Sequence, residues 1–457
     1  MSSSTKIGSY RWTICALLFV ATTVNYLDRQ VLSLLQPHLE ELYGWTNSDY
    51  ANITAAFQLF YAIAMLFAGK FIDKIGTKWG YAVAIIVWSL GALVHAYSVD
   101  IGTGIGGILK VFGITVWSAS VLGFMASRMV LALGEAGNFP AAIKATAEYF
   151  PQKERSLATG IFNSGANIGA IIAPIAIPRI EALWGWEAAF VIVGLFGFVW
   201  LAFWLVFYEK PEKQKRLSKA ELEYITEGVP AVHAAPSEDV PVEQKIKWST
   251  LLGFRQTWAF VVGKALTDGV WWFFLFWLPA YLKSNYQLVG DAISLPLAIL
   301  YSLSMIGSIS GGWLPVFFIN RGLPAFDGRR RAMLLIALVP LIVLAAQPLG
   351  YISYWVPVLL IGIGTAAHQA WSANIFTTVS DMFPKKAIGS IVGIGGMAGG
   401  LGGVIISKAG GALFDHYKAQ GHIETGYTIM FAFCATAYIL AWVLMKLLVP
   451  KHKMVEI

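Results

Sequence analysis

Twelve apolar stretches divide this chain, at about 12–35, 50–69, 79–97, 116–146, 156–178, 187–208, 256–282, 293–318, 332–347, 354–380, 386–410 and 425–449. A helix needs roughly 20 predominantly apolar residues to cross the hydrocarbon core of a bilayer. Each stretch is therefore read as a spanning helix, and the chain as an all-α membrane protein lodged in a lipid bilayer. Composition agrees: 13% of residues are charged, against about 25% in an average protein. The 45 glycines and 18 tryptophans also suit membrane helices, which tolerate Gly and carry Trp at their interfaces.

The basic residues fall on alternate connections. One set holds Lys70, Lys74, Lys78, Lys153, Arg155, Lys210, Lys213, Lys215, Arg216, Lys219, Lys245, Lys247, Arg321, Arg329, Arg330, Arg331, Lys385, Lys386, Lys451 and Lys453. The other holds Lys110, Arg179, Lys283 and Lys418. The positive-inside rule puts the first set and both termini in the cytoplasm. The net charge of +7 is explained by this bias and does not point to nucleic acid. Cys15 and Cys434 lie in apolar runs, which argues against a disulfide framework. The first stretch is too long, and too charged at Asp28 and Arg29, for a cleaved signal peptide.

One long polar connection, 209–255, separates two groups of six stretches. It contains Pro211, Pro230, Pro236 and Pro241, and within it SKAELEYI reads as a short amphipathic helix with Ser218 and Glu221 forming a capping box. The expected organisation is a six-helix bundle over 1–208, a cytoplasmic linker over 209–255 and a second bundle over 256–457. The Gly-rich segment 99–118 reads as an enlarged external loop, part of which could be re-entrant or interfacial.

The two halves repeat each other. Glu148, Phe150, Pro151, Lys153, Gly160, Ile161 and Gly169 recur 233 residues on as Asp381, Phe383, Pro384, Lys386, Gly393, Ile394 and Gly402. Internal repeats of this kind mark transporters whose cargo is held near the midplane between the halves. The copies differ: Glu135 falls on His368, and Asn163 and Asn167 on Gly396 and Gly400. The deep acid lies in the first half only, so proton chemistry belongs there.

GKFIDKIGTK (69–78) resembles the loop between helices 2 and 3 of the major facilitator superfamily, with Gly69, Asp73, Lys74, Gly76 and Lys78 at the matching positions. GGWLPVFFINRG (311–322) looks like a decayed second copy. NYLDRQ (25–30), SRMVLALGEAGNFPAAIKATAEYFPQKERS (127–156) and AHQAWSANIFTTVSDMFPKKAIGSIVGIGGMAGG (367–400) resemble the anion:cation symporter branch, and its bacterial hexuronate transporters most of all. The resemblance spans about 12–449. It implies two pseudo-symmetric six-helix bundles in a bacterial inner membrane, acting as a monomer and needing no cofactor or metal.

The residues offer the chemistry such a carrier needs. Charges deep in a spanning helix are expensive and mark pathways for ions or substrate. Tyr26 and Arg29 share a face, so Arg29 can grip a carboxylate with its planar fork, assisted by Tyr26. Arg128 and Glu135 lie seven apart, roughly 10 Å along one helix face. The resemblance implies that Asp28 and Glu135 carry protons, with Arg128 as a switchable counter-ion; a static ion-pair network is the structural alternative. Tyr61 resembles a sugar-hydroxyl contact, and Asn163 and Asn167 offer amides to a polyhydroxy acid or glue helices together. Lys264 and Asp268, four apart, neutralise each other, or Lys264 supplies a second positive group. Trp271 and Trp272 are candidate walls; His368, Gln369, Trp371 and Asn374 form a polar and aromatic cluster, with Gln369 and Asn374 as hydroxyl ligands. Gly69, Asp73, Lys74, Gly76 and Lys78 form a gate loop bridging helix ends of one half. The glycines of 389–403 read as a packing and rocking surface.

The expected activity is import of a sugar-acid anion with protons by alternating access. The cargo is a hexuronate, or in the alternative an aldonate, an aldarate or another organic anion, with sodium in place of protons. A membrane sensor on the same scaffold is a rival. An enzyme is disfavoured: the sequence has no H-E-x-x-H, no G-x-S-x-G and no P-loop.

Overall fold

The computed structural model describes residues 8–226 and 248–456; helical residues 152, 153, 155–157, 385 and 386 are described by their backbone alone. The middle of the expected linker, 227–247, with Pro230, Pro236, Pro241, Lys245 and Lys247, lies outside the described residues, as do the side chains of Lys153, Arg155, Lys385 and Lys386. Among the described residues there is no strand.

The described residues form twelve long helical rods. They are α1 (Tyr10–Tyr43), α2 (Asn47–Ile75), α3 (Thr77–Val111), α4 (Ala119–Tyr149), α5 (Gln152–Trp184), α6 (Trp186–Phe207), α7 (Arg255–Tyr286), α8 (Ser294–Ile319), α9 (Ala325–Leu349), α10 (Trp355–Met382), α11 (Lys385–Ala419) and α12 (Ile423–Leu448). Ten are long and apolar enough to span a bilayer. The other two, α1 and α10, are as long but carry buried Asp28, Arg29 and Gln30 in one and buried His368 and Asn374 in the other. Several rods outrun their apolar stretches: α1 reaches Tyr43 and α11 reaches Ala419. Polar residues past the membrane boundary simply continue the helix.

Residues 99–118 are not the loop that their glycines suggest. After one tight turn at His95–Tyr97, helix resumes from Ser98 to Val111, and 112–118 alone connect to α4. The glycines serve close packing. A Cβ on Gly102 would collide with the Ala119 carbonyl, and one on Gly123 with the Ser98 carbonyl, so α3 and α4 touch backbone to backbone. The capping box at Ser218 also forms only by half. Glu221 N–H donates to Ser218 Oγ at 3.1 Å, but the Glu221 carboxylate accepts from the N–H groups of Tyr10 and Arg11 at 3.1 and 3.0 Å and caps α1 instead.

The halves meet through α2 and α11, α5 and α8, and α1 and α7. Exchanging the halves maps the first two pairs onto each other. Their polar contacts gather at the charge-poor face of the molecule. There the Asp415 carboxylate of α11 accepts from Asn47 N–H and Ser48 N–H, both at 2.8 Å, and from Asn47 Nδ2 at 3.0 Å. Thr46 and Asp49 cap the same helix end reciprocally. An anion at a helix N-terminus meets unpaired N–H donors and the positive end of the dipole. Lys283 bridges to Glu41 at 2.7 Å and to the Pro37 carbonyl at 2.6 Å, and Lys418 to Glu40 at 2.7 Å. Ser407 donates to Gln58 at 3.1 Å, and Ser294 donates to the Pro174 carbonyl. At the opposite, charge-rich end, Gly69, Gly160, Gly389 and Gly393 have, among the described residues, nothing within 4 Å of the place a Cβ would take.

Candidate functional site

The most polar part of the interior lies where α1, α2 and α4 face α7. Asp28, Arg29, Arg128 and Glu135 are all under 5% exposed. Arg29 Nε donates to Glu135 Oε2 at 2.5 Å, joining α1 to α4. The guanidinium carbon also lies 4.9 Å from the ring centre of Tyr26, 4.7 Å from Tyr61, 5.6 Å from Phe57 and 5.6 Å from Trp272. Tyr26 and Arg29 meet as their three-residue spacing predicts. Phe57 and Tyr61 stack at 5.8 Å on α2, and Tyr61 meets Trp272 edge-on at 6.2 Å. Aromatic faces attract a cation, and more strongly away from water. The cage thus holds Arg29 charged at the boundary between the halves, because Trp272 belongs to the second one.

Arg128 stands beside this pair. Its Nη2 donates to the Arg29 carbonyl at 3.2 Å, and its guanidinium carbon lies 5.5 Å from the Phe57 ring. Among the described residues, the Nε and Nη1 of Arg128, Asp28 Oδ2 and Glu135 Oε1 are buried without a hydrogen-bond partner. Each such group costs about 1–3 kcal/mol, and charged ones more. The hydrogen-bonded partner of Glu135 is Arg29, and Arg128, read from the resemblance as a counter-ion near the acids, stands close to both carboxylates without a hydrogen bond to either.

The second half is organised differently. Lys264 Nζ and Asp268 Oδ2 are 2.6 Å apart on one face of α7, and Lys264 lies 4.3 Å from the Phe376 ring centre. His368 stacks on Trp271, ring centres 5.0 Å apart, with Nδ1 2.8 Å from the Tyr438 hydroxyl. Trp371 is buried against Tyr438 at 5.7 Å. Asn374, expected to contact cargo, instead donates its Nδ2 to the Gly311 and Ala370 carbonyls, both at 2.8 Å, fastening α10 to α8. Gln369 is half-buried. On α5, Asn163 is exposed and Asn167 half-buried, while Gly165 and Gly169 on the other face pack against α1. The structure therefore gathers Tyr26, Arg29, Tyr61, Arg128, Glu135 and Trp272, and leaves Asn163 and Asn374 apart from them.

The loop of Gly69 to Lys78 sits at the charge-rich end. Gly76, at φ +90°, ends α2 and starts α3. Asp73 pairs with Lys144 of α4 at 2.8 Å, and Lys78 with Glu209 at 2.7 Å. Lys74 lies in the last turn of α2. The ammonium of Lys78 holds the Glu209 carboxyl below its ordinary pKa. The partnership of Arg29 with Glu135 escaped the sequence; Phe57 shares the face of Tyr61, one turn before it, as helical spacing predicts. Among the described residues no group of three His, Cys, Asp or Glu could hold a metal ion.

Residues 18–407 match the Major Facilitator Superfamily. The hexuronate transporter of Escherichia coli (strain K12) is 30% identical over 412 residues, which cover 90% of this chain and 89% of that one. The galacturonate transporter of Dickeya chrysanthemi is 32% identical over 68% of this chain and 84% of its own. A probable galactarate/D-glucarate transporter of Escherichia coli (strain K12) is 26% identical over 86% of each. Among solved structures, a bacterial homolog of the human lysosomal transporter Spinster, inward-facing and unoccupied, superposes with a TM-score of 0.71 at 18% identity, covering 96% of this chain and 98% of that one. Helices, repeat and family match agree: this chain is a multi-pass membrane protein belonging to the Major Facilitator Superfamily.

Proposed function

We propose that this protein imports a sugar-acid anion, a hexuronate, together with protons. The observation that carries the reading is the Arg29–Glu135 ion pair, closed in by aromatic rings from both halves. Arg29 is committed to Glu135 as long as that carboxylate is ionised. A proton on Glu135 releases the guanidinium, whose fork fits a cargo carboxylate. Anion and proton then bind as a unit, and the cage walls offer flat faces to a sugar ring. Asp28, with its unpartnered oxygen, is the second proton site. One proton with a monoanion is electroneutral; two would let the membrane potential help. The similarity to hexuronate and galacturonate transporters supports this cargo.

The contacts at the charge-poor face and the open glycines at the other end support a state open to the charge-rich side. By the positive-inside rule that side is the cytoplasm of a bacterial cell, with both termini there. The working unit is a monomer whose halves, 1–208 and 256–457, rock about the site while 209–255 tethers them. An aldonate or aldarate cargo is the second reading, favoured by the galactarate/D-glucarate relative.

Uptake of labelled glucuronate and galacturonate into proteoliposomes tests this, with an inward proton gradient and Glu135→Gln run beside the parent. Gradient-driven accumulation is expected in the parent. Glu135→Gln is expected to lose it and keep counterflow exchange. Uptake that follows sodium and ignores pH would sink the proton role of Asp28 and Glu135. Failure of both uronates to move would sink the cargo.

A further inference from the structure

We infer that Lys264 is a second carboxylate subsite, held occupied by the protein's own carboxylate, Asp268, and that this confines the cargo to acids with a single carboxylate. The inference rests on the sugar-acid reading above and names the class of acid. Three features of the pair carry it.

First, the pair does not serve α7 as a helix. Lys four residues before an acid is the weaker of the two orders, and a buried ion pair is commonly matched or bettered by apolar residues. Second, the carboxylate has a seat made for it on another helix. Asp268 Oδ2 lies where a Cβ on Gly399 of α11 would stand, so any side chain at 399 would evict it. Third, the pair borders the site. Asp268 precedes Trp272 by one turn, about 6 Å of helix rise, and Trp272 lies 5.6 Å from the Arg29 guanidinium. Asp268 is also the more accessible partner, its side chain 18% exposed against 5% for Lys264. An acid gripped at one end by Arg29 thus extends its far end toward Asp268. Hydroxyl groups there can donate to that carboxylate. A second carboxylate would meet a like charge, with Lys264 already neutralised behind it.

Competition against labelled glucuronate tests this with three probes: unlabelled glucuronate, glucarate, and glucarate carrying one carboxyl as an amide. In the parent, the amide is expected to compete about tenfold or more better than glucarate, because a buried charge without a partner is costly. Asp268→Asn is expected to close that gap, and adding Lys264→Gln to reopen it, since the subsite then lacks its cation. Thermal stabilisation of the purified protein by each probe gives the same ranking without transport. Glucarate competing as well as its amide in the parent would overturn the inference, whether or not Asp268→Asn folds. So would an unchanged ratio in folded Asp268→Asn, or a gain that survives loss of Lys264. Failure of the parent to bind or move glucuronate is a different result and strikes the sugar-acid reading itself.

Discussion

The two halves descend from one pattern, yet their interiors are built to different rules. In the first, the ion pair joins separate helices: Arg29 on α1 reaches Glu135 on α4, and Arg128, also on α4, stands beside them with two of its nitrogens unpartnered among the described residues. In the second, Lys264 and Asp268 pair within a single helix, and the pair that joins two helices, Arg329 with Asp381, lies at the charge-rich end. At the repeat offset Glu135 falls on His368, and Arg128 on Ile361, both buried. His368 stacks on Trp271 and bonds Tyr438, an arrangement suited to a fixed wall. An ion pair between helices changes when a proton arrives or the helices shift; one within a helix travels with it. On the proposed function, the first half carries the coupling and the second shapes the cargo.

Exchanging cation types breaks or sharpens this contrast most strongly. Arg29→Lys keeps the charge and loses the fork, so uptake is expected to fall about a hundredfold, equivalent to ~3 kcal/mol. Lys264→Arg, which preserves a pairing with Asp268, is expected to cost less than about tenfold. Equal losses in the two uptake assays would dissolve the distinction.

Asp415→Ala asks the corresponding question of the two faces. It removes the acceptor of three hydrogen bonds at the start of α2, worth about 1–3 kcal/mol in all. The charge-poor face should open more often, and a cysteine placed at buried Ser407 should label several-fold faster. An unchanged labelling rate would mean that Lys283 and Lys418 close that face unaided. A smaller effect is expected from His368→Phe, which keeps the stack on Trp271 and loses the bond to Tyr438. The cost is about 1 kcal/mol in thermal stability, with proton-driven accumulation retained. Loss of accumulation would move coupling chemistry into the second half.

The smallest effect concerns Lys78 and Glu209 at the charge-rich end. The Glu209 carboxyl titrates below its ordinary value because Lys78 stabilises its ionised form. That stabilisation is complete above the ordinary carboxylate range and is lost as pH falls through the lowered value. Lys78→Gln should therefore narrow the difference in melting temperature between neutral and acid pH. The change should shrink further in high salt. A widened difference would reverse the sign of this coupling.

Much of this was legible in the sequence, and what was not has a common cause. Apolar runs announce spans because lipid admits little else, and the offset repeat announces two halves. Asp28, Arg29, Arg128 and Glu135 stand out because charges are rare in such runs. Helical spacing tells which residues share a face, as with Tyr26 and Arg29 or Lys264 and Asp268. It does not tell which face turns toward which helix. The bond from Arg29 to Glu135 joins residues 106 positions apart, and only the packing of α1 on α4 decides it. The same ignorance of rotation made Asn374 look like a ligand when it fastens α10 to α8. Glycine misled at 99–118 because a residue that permits loops also permits two helices to touch.

That helical contact has a practical side. The rod α3 is 35 residues long with one tight turn at His95–Tyr97, and α4 turns back beside Gly102, so 103–118 form an arm at the charge-poor face. Its anchorage includes the backbone contacts at Gly102 and Gly123. The tip is therefore a place where a peptide tag or a protease site can be grafted without disturbing either half. Read from one face of the membrane only, such a graft would report which way each molecule was inserted.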